Sequence, residues 1–94
     1  MISVTENIRK PAILHDMKNI QIYTSPTCHY CRAAKEYFAE KGVAYQEYDV
    51  FADGAAREEM MQKSGQLGVP VISIDDKIVI GFDRQRIDQL LGLA

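Results

Sequence analysis

The stretch TSPTCHYCRAAKEYF, residues 24–38, restricts the fold of this chain more than any other. Ahead of its cysteines, IQIY (20–23) alternates like a β-strand, and Ser25-Pro26-Thr27 then breaks the chain. Behind them, Tyr30, Ala33, Ala34, Tyr37 and Phe38 recur at helical spacing, Arg32, Lys35, Glu36 and Glu40 fill the other side, and Lys41-Gly42 supplies a stop. VAYQEYDV (43–50) reads as a second strand. A helix crossover between two strands makes them parallel, which gives a βαβ unit. Cys28 and Cys31 therefore sit where a strand gives way to a helix.

The remainder extends that unit. Residues 53–64 read as a second helix, with Asp53 as its N-cap and Gly65 at its end. PVISI and KIVI flank Asp75-Asp76 closely enough for a tight antiparallel hairpin. Asp83 caps a last helix that carries Ile87, Leu90 and Leu91 on one stripe. The order β-α-β-α-β-β-α predicts an α/β fold, a four-stranded mixed sheet with helices on both faces. A chain of 94 residues can build one core. Residues 1–18 mix apolar and charged side chains without a period, Pro11 interrupts any helix there, and they are expected to form an N-terminal extension to a domain spanning 19–94.

The formal net charge is −2 with both signs interspersed, so neither nucleic acid nor an anionic membrane is an expected partner. The longest apolar run, at residues 69–74, is too short to span a bilayer, and residues 1–18 lack a signal peptide's apolar segment. A cytoplasmic monomer is the expectation.

Two cysteines cannot build a multi-bridge scaffold, and a bridge closing so small a loop restrains the unfolded chain very little. Redox chemistry suits the pair better. If the helix begins at Cys28, its sulfur lies beside unpaired N–H groups at the positive helix end, which favours the thiolate that attacks disulfides. Arg32 and Lys35 add positive charge nearby, as does His29 when protonated. Cys31 lies three residues on, with Cα atoms roughly 5–6 Å apart, inside disulfide range. Cys28 would attack and Cys31, set deeper, would resolve. Two other readings stay open: small buried hydrophobes, or part of a metal or iron–sulfur site completed from outside the chain, since there is one CxxC and the only histidines are His15 and His29.

At this point the chain resembles the glutaredoxin family of the thioredoxin fold, over roughly residues 19–94. IYTSPTCHYC, then GVP at 68–70, then GFD at 81–83 carry the resemblance in order. It implies a dithiol–disulfide oxidoreductase, a cis peptide bond before Pro70, and a substrate strand pairing with the Val69 backbone. It also implies glutathione as co-substrate, with no bound cofactor and no metal. Tyr30 would flank the glutathione, while Gly81 and Asp83 would receive its glutamyl end. An alternative under the same resemblance is a metal or iron–sulfur cluster-binding module.

Departures from the pattern bear on substrate choice. Ser25 stands where glutaredoxins that use glutathione well carry a lysine, and His29 replaces the proline of the common CPYC. GFD looks like the loop of NrdH-type redoxins, which take electrons from thioredoxin reductase and serve ribonucleotide reductase. Phe82 is then either a docking aromatic or a core residue. Thioredoxins resemble the chain less: Thr27 replaces the tryptophan before their first cysteine, and the strand before the site lacks their buried acid.

Overall fold

The computed structural model describes residues 19–93. The expected extension over 1–18 lies outside the described residues. The elements run β1 (Ile20–Thr24), α1 (His29–Glu40), β2 (Gln46–Asp49), α2 (Gly54–Ser64), β3 (Val71–Ile74), β4 (Lys77–Ile80) and α3 (Arg84–Leu91). They form one four-stranded sheet in the order β2-β1-β3-β4. β1 and β2 are parallel, whereas β3 runs antiparallel to both β1 and β4. This is the mixed β-α-β-α-β-β-α sheet of the thioredoxin fold.

Alternation along the central strands divides the core. Ile20 and Ile22 of β1, with Ile72 and Ile74 of β3, face α1 and α3, and join Ala34, Tyr37, Phe38, Ile87 and Leu91 in one cluster. Tyr23 and Val71 face the other way, onto Ala56 and Met60 of α2. A strand buried on both sides needs apolar residues at successive positions, which explains why VISI of β3 is buried throughout.

Local chemistry sets the element ends. The Asp53 carboxylate accepts from the N–H groups of Ala55 and Ala56, and Gly65 ends α2 at φ 75°, a left-handed conformation that costs glycine little. The hairpin turn places Asp75 and Asp76 at φ 49° and 70°, where aspartate is tolerated and where both central residues of a two-residue hairpin turn belong.

The second strand differs from expectation. It begins at Gln46 rather than at Val43, because the end of α1 captures the intervening chain. Gly42 N–H donates to Ala39 O at 3.1 Å and Val43 N–H to Phe38 O at 2.9 Å, so Val43, two residues past the cap residue Lys41, helps close the helix end and buries its side chain in the core cluster. Tyr30 also departs from the helical stripe: it is 69% exposed and takes no part in the core.

Candidate active site

One rung crosses all four strands, Tyr48–Tyr23–Val71–Ile80. The next residues, Asp49, Thr24, Pro70 and Gly81, form a rim at one end of the sheet, and Thr24 leads from that rim into the cysteine loop. Ser25-Pro26-Thr27-Cys28 closes as a turn, with Cys28 N–H donating to Ser25 O at 3.4 Å and proline at the second position, where its fixed φ suits a turn. The helix starts immediately afterwards.

Cys28 is the N-cap of α1, with extended backbone (φ −89°, ψ 115°) and its side chain accepting from Cys31 N–H. That N–H···Sγ distance is 3.1 Å. Sulfur thus takes the place usually filled by a serine or aspartate oxygen, and no acidic residue in the first turn competes for the free N–H groups. A thiolate there gains from both the N–H and the helix dipole. Cys28 is half-buried, while Cys31 is 1% exposed. Burial first, and then the neighbouring Cys28 sulfur, push the Cys31 thiol up from 9.0 to about 12, against weaker opposition from the Ser25 backbone and Lys35. At neutral pH the two sulfurs are chemically unequal.

This inequality gives an expected outcome. Under native conditions at pH 7, a limiting dose of iodoacetamide alkylates Cys28, and Cys31 becomes a comparable target only on unfolding or as the pH rises towards 12. Peptide mass mapping checks this, and equal labelling of both cysteines in the folded protein would contradict it.

A cavity of about 160 Å³ opens beside the pair, lined among others by Cys28, Cys31, Arg32, Lys35, Glu47 and Asp49. Lys35 Nζ meets Glu47 Oε2 at 2.8 Å, and the buried Thr24 hydroxyl donates to the same oxygen at 2.9 Å. The Lys35 hydrogen bond, seconded by Thr24, draws the Glu47 carboxyl below its usual range. The same bond raises Lys35. His29 is exposed and does not line the cavity.

The other predicted residues fall around the rim. The Val69–Pro70 bond is cis. Among the described residues neither the N–H nor the C=O of Val69 has a hydrogen-bond partner, so both are free for an added strand. Gly81 N–H donates to Pro70 O at 2.8 Å, tying the loop after β4 to the proline, and Gly81 adopts φ 84° to do so. Asp83 caps α3 by accepting from Arg86 N–H at 3.2 Å and stays exposed. Phe82 is half-buried, its ring edge-on to Tyr37 at 5.8 Å, in a groove with Ala33 and Arg84 apart from the cysteine cavity. Packing therefore accounts for much of its ring. Among the described residues no group of three or more His, Cys, Asp or Glu is placed to hold a metal ion.

The glutaredoxin family model matches residues 20–79, which takes in the cysteines, the cis-proline and all but the last residue of the sheet. The chain belongs to the glutaredoxin family. It is 45% identical over 67 residues to glutaredoxin 3 of Escherichia coli K12, covering 71% of this chain and 81% of that one. It is 44% identical over 72 residues to a glutaredoxin-like 8.6 kDa protein of the rubredoxin operon in Clostridium pasteurianum, covering 77% of this chain and 96% of the other. Among solved structures it is similar to the thioredoxin-like protein BC3987, at TM-score 0.73 and 36% identity, over 77% of this chain and 99% of that one. The glutaredoxin match takes in Ser25 and His29 and stops short of Gly81, Phe82 and Asp83.

Glu47 and Thr24 are the site residues that sequence reasoning missed. A signal existed in the alternation of β2. Glu47 and Asp49 pair with Ile22 and Thr24, and so put two acids on the face that β1 uses for its core.

Proposed function

We propose that this glutaredoxin-family chain reduces protein disulfides and glutathione mixed disulfides through Cys28 and Cys31. The observation that carries the reading is the unequal pair: a half-exposed sulfur capping a helix, and a buried one a turn later that keeps its proton. The Cys28 thiolate attacks one sulfur of a substrate disulfide, forming a mixed disulfide and releasing the other half as a thiolate that takes up a proton. Cys31 loses its proton and attacks Cys28 Sγ. The second substrate sulfur leaves reduced, and the protein is left with a Cys28–Cys31 disulfide. Two molecules of glutathione, or a flavoprotein thioredoxin reductase, return two electrons. The cycle needs no bound cofactor.

In this reading an extended substrate pairs with the open Val69 backbone beside Pro70. Tyr30, exposed two residues past the cap residue Cys28, lies along bound glutathione, and Gly81 with Asp83 at the start of α3 receives its charged end. Phe82 contributes the uncovered part of its ring to a protein partner such as ribonucleotide reductase. Among the described residues no helix is long and apolar enough to cross a membrane. The setting proposed is the cytoplasm, and the role is electron delivery and redox homeostasis by a monomer.

The deciding experiment starts from oxidised protein and supplies either glutathione with its reductase or thioredoxin reductase with NADPH. Reduction by the glutathione system is the expected result. Reduction by thioredoxin reductase alone moves the donor and leaves the dithiol chemistry standing. Failure with both sinks the proposal.

A further inference from the structure

The cavity beside Cys28 has a charged, solvent-facing wall for which the redox cycle above has no use. Lys35 follows Cys31 by one helical turn, so both side chains hang on the same face of α1. A lysine on a surface helix normally swings on a flexible four-carbon stem. This one is held: Glu47 Oε2 grips the ammonium at 2.8 Å, and the buried Thr24 hydroxyl fixes that carboxylate at 2.9 Å. The result is a positive charge of set position on the wall that Cys31 shares.

We infer that Lys35, positioned by Glu47 and Thr24, is the cation that stabilises Cys31 as a thiolate in the resolving step. The inference rests on the dithiol reading above and deepens it. The charged and titratable groups that line this cavity together with Cys31 are the cap residue Cys28, Arg32 and Lys35 of α1, and Glu47 and Asp49 of β2. In the reduced protein Cys28 opposes ionisation of Cys31. Once Cys28 is bonded to a substrate sulfur, its charge is gone. Asp49 is engaged with the N–H groups of Phe51 and Ala52. Lys35 already favours ionised Cys31, and its bond to Glu47 keeps it charged well into the alkaline range. With the cavity open to solvent, Cys31 passes its proton to water, its electron pair forms the bond to Cys28 Sγ, and the bond from Cys28 to the substrate sulfur breaks. The departing thiolate carries that pair away and takes up a proton.

A neutral chromogenic disulfide, dithiodipyridine, separates the steps without any physiological partner. Its reaction with the reduced protein releases one thiopyridone in a bimolecular phase at Cys28, then a second in a unimolecular phase as Cys31 resolves. Stopped-flow records across pH 6–9 would compare wild type with Lys35→Gln, which keeps a polar partner for Glu47, and with Lys35→Arg. The expected result is a roughly tenfold fall in the ratio of second-phase to first-phase rate for Lys35→Gln, equivalent to about one unit of Cys31 ionisation, with the second-phase pH profile moved upward. Lys35→Arg should restore most of the ratio. An unchanged ratio in Lys35→Gln overturns the inference, and so does a fall that arginine fails to restore, since that pattern belongs to packing rather than charge. Because this reagent needs neither glutathione nor a reductase, a wrong donor or target would not be mistaken for a wrong role of Lys35.

Discussion

Cys28→Ser should lower turnover on every disulfide substrate by roughly 10³-fold or more, to the uncatalysed background, whereas Cys31→Ser should lose protein disulfides and keep glutathione mixed disulfides. The asymmetry follows from where the two sulfurs sit. Only Cys28 occupies the cap, accepts the Cys31 N–H and reaches the cavity mouth half-exposed, so no other atom can make the first sulfur–sulfur bond. Cys31 is buried and holds its proton up to about 12, so it cannot stand in. A mixed disulfide with glutathione needs only the first bond, since a second glutathione can release the first from Cys28. A protein disulfide depends on the intramolecular attack instead, because the high local concentration of Cys31 releases the bound partner. Steady-state rates on both substrate types measure the split. Equal residual activity in the two variants would remove the assignment of attacker and resolver.

Legibility in the sequence followed the range of the interaction concerned. Asp53, Gly65 and Asp83 act within one or two turns of themselves, so the helix ends they predict are the observed ones. The alternation of IQIY and the hairpin at Asp75-Asp76 are local in the same sense. The position of Cys28 at the start of α1 was legible because a strand, a breaker and a helical stripe all pointed to it. Val43 was misplaced because one residue can serve a strand or a helix cap, and the Phe38 carbonyl decides between them. Tyr30 fits the apolar spacing, yet it lies one residue past the start of α1, where the helix has run beyond the edge of the core. Alternation places Glu47 on one face of β2, but its meaning comes from the register with Ile22 and from Lys35 on another element. Single-sequence patterns place an acid on a strand face but do not say which neighbour it meets.

The geometry of the cysteine pair depends on a residue well removed from it, and Phe38→Ala should cost about 3–5 kcal/mol of stability. The Phe38 ring is fully buried. It lies 5.8 Å from Tyr45 and 6.3 Å from Tyr37, in the cluster that joins α1 and α3 to Ile22, Ile72 and Ile74. Removing it opens a ring-sized void in a close-packed core, and few neighbours can collapse into a space bounded by a sheet and two helices. A domain of this size has roughly 5–15 kcal/mol in total, so the loss should lower Tm by about 15–30 °C. Phe51→Ala provides the control: that ring is 77% exposed, and its removal should change stability by less than about 0.5 kcal/mol. Thermal unfolding of the reduced proteins, followed by circular dichroism, compares the two. Closely similar Tm values for both variants would mean that α1 is not held by this cluster. In that event the cap on Cys28 would owe its place to the Ser25–Cys28 turn alone, since a helix of 12 residues has little stability of its own in water.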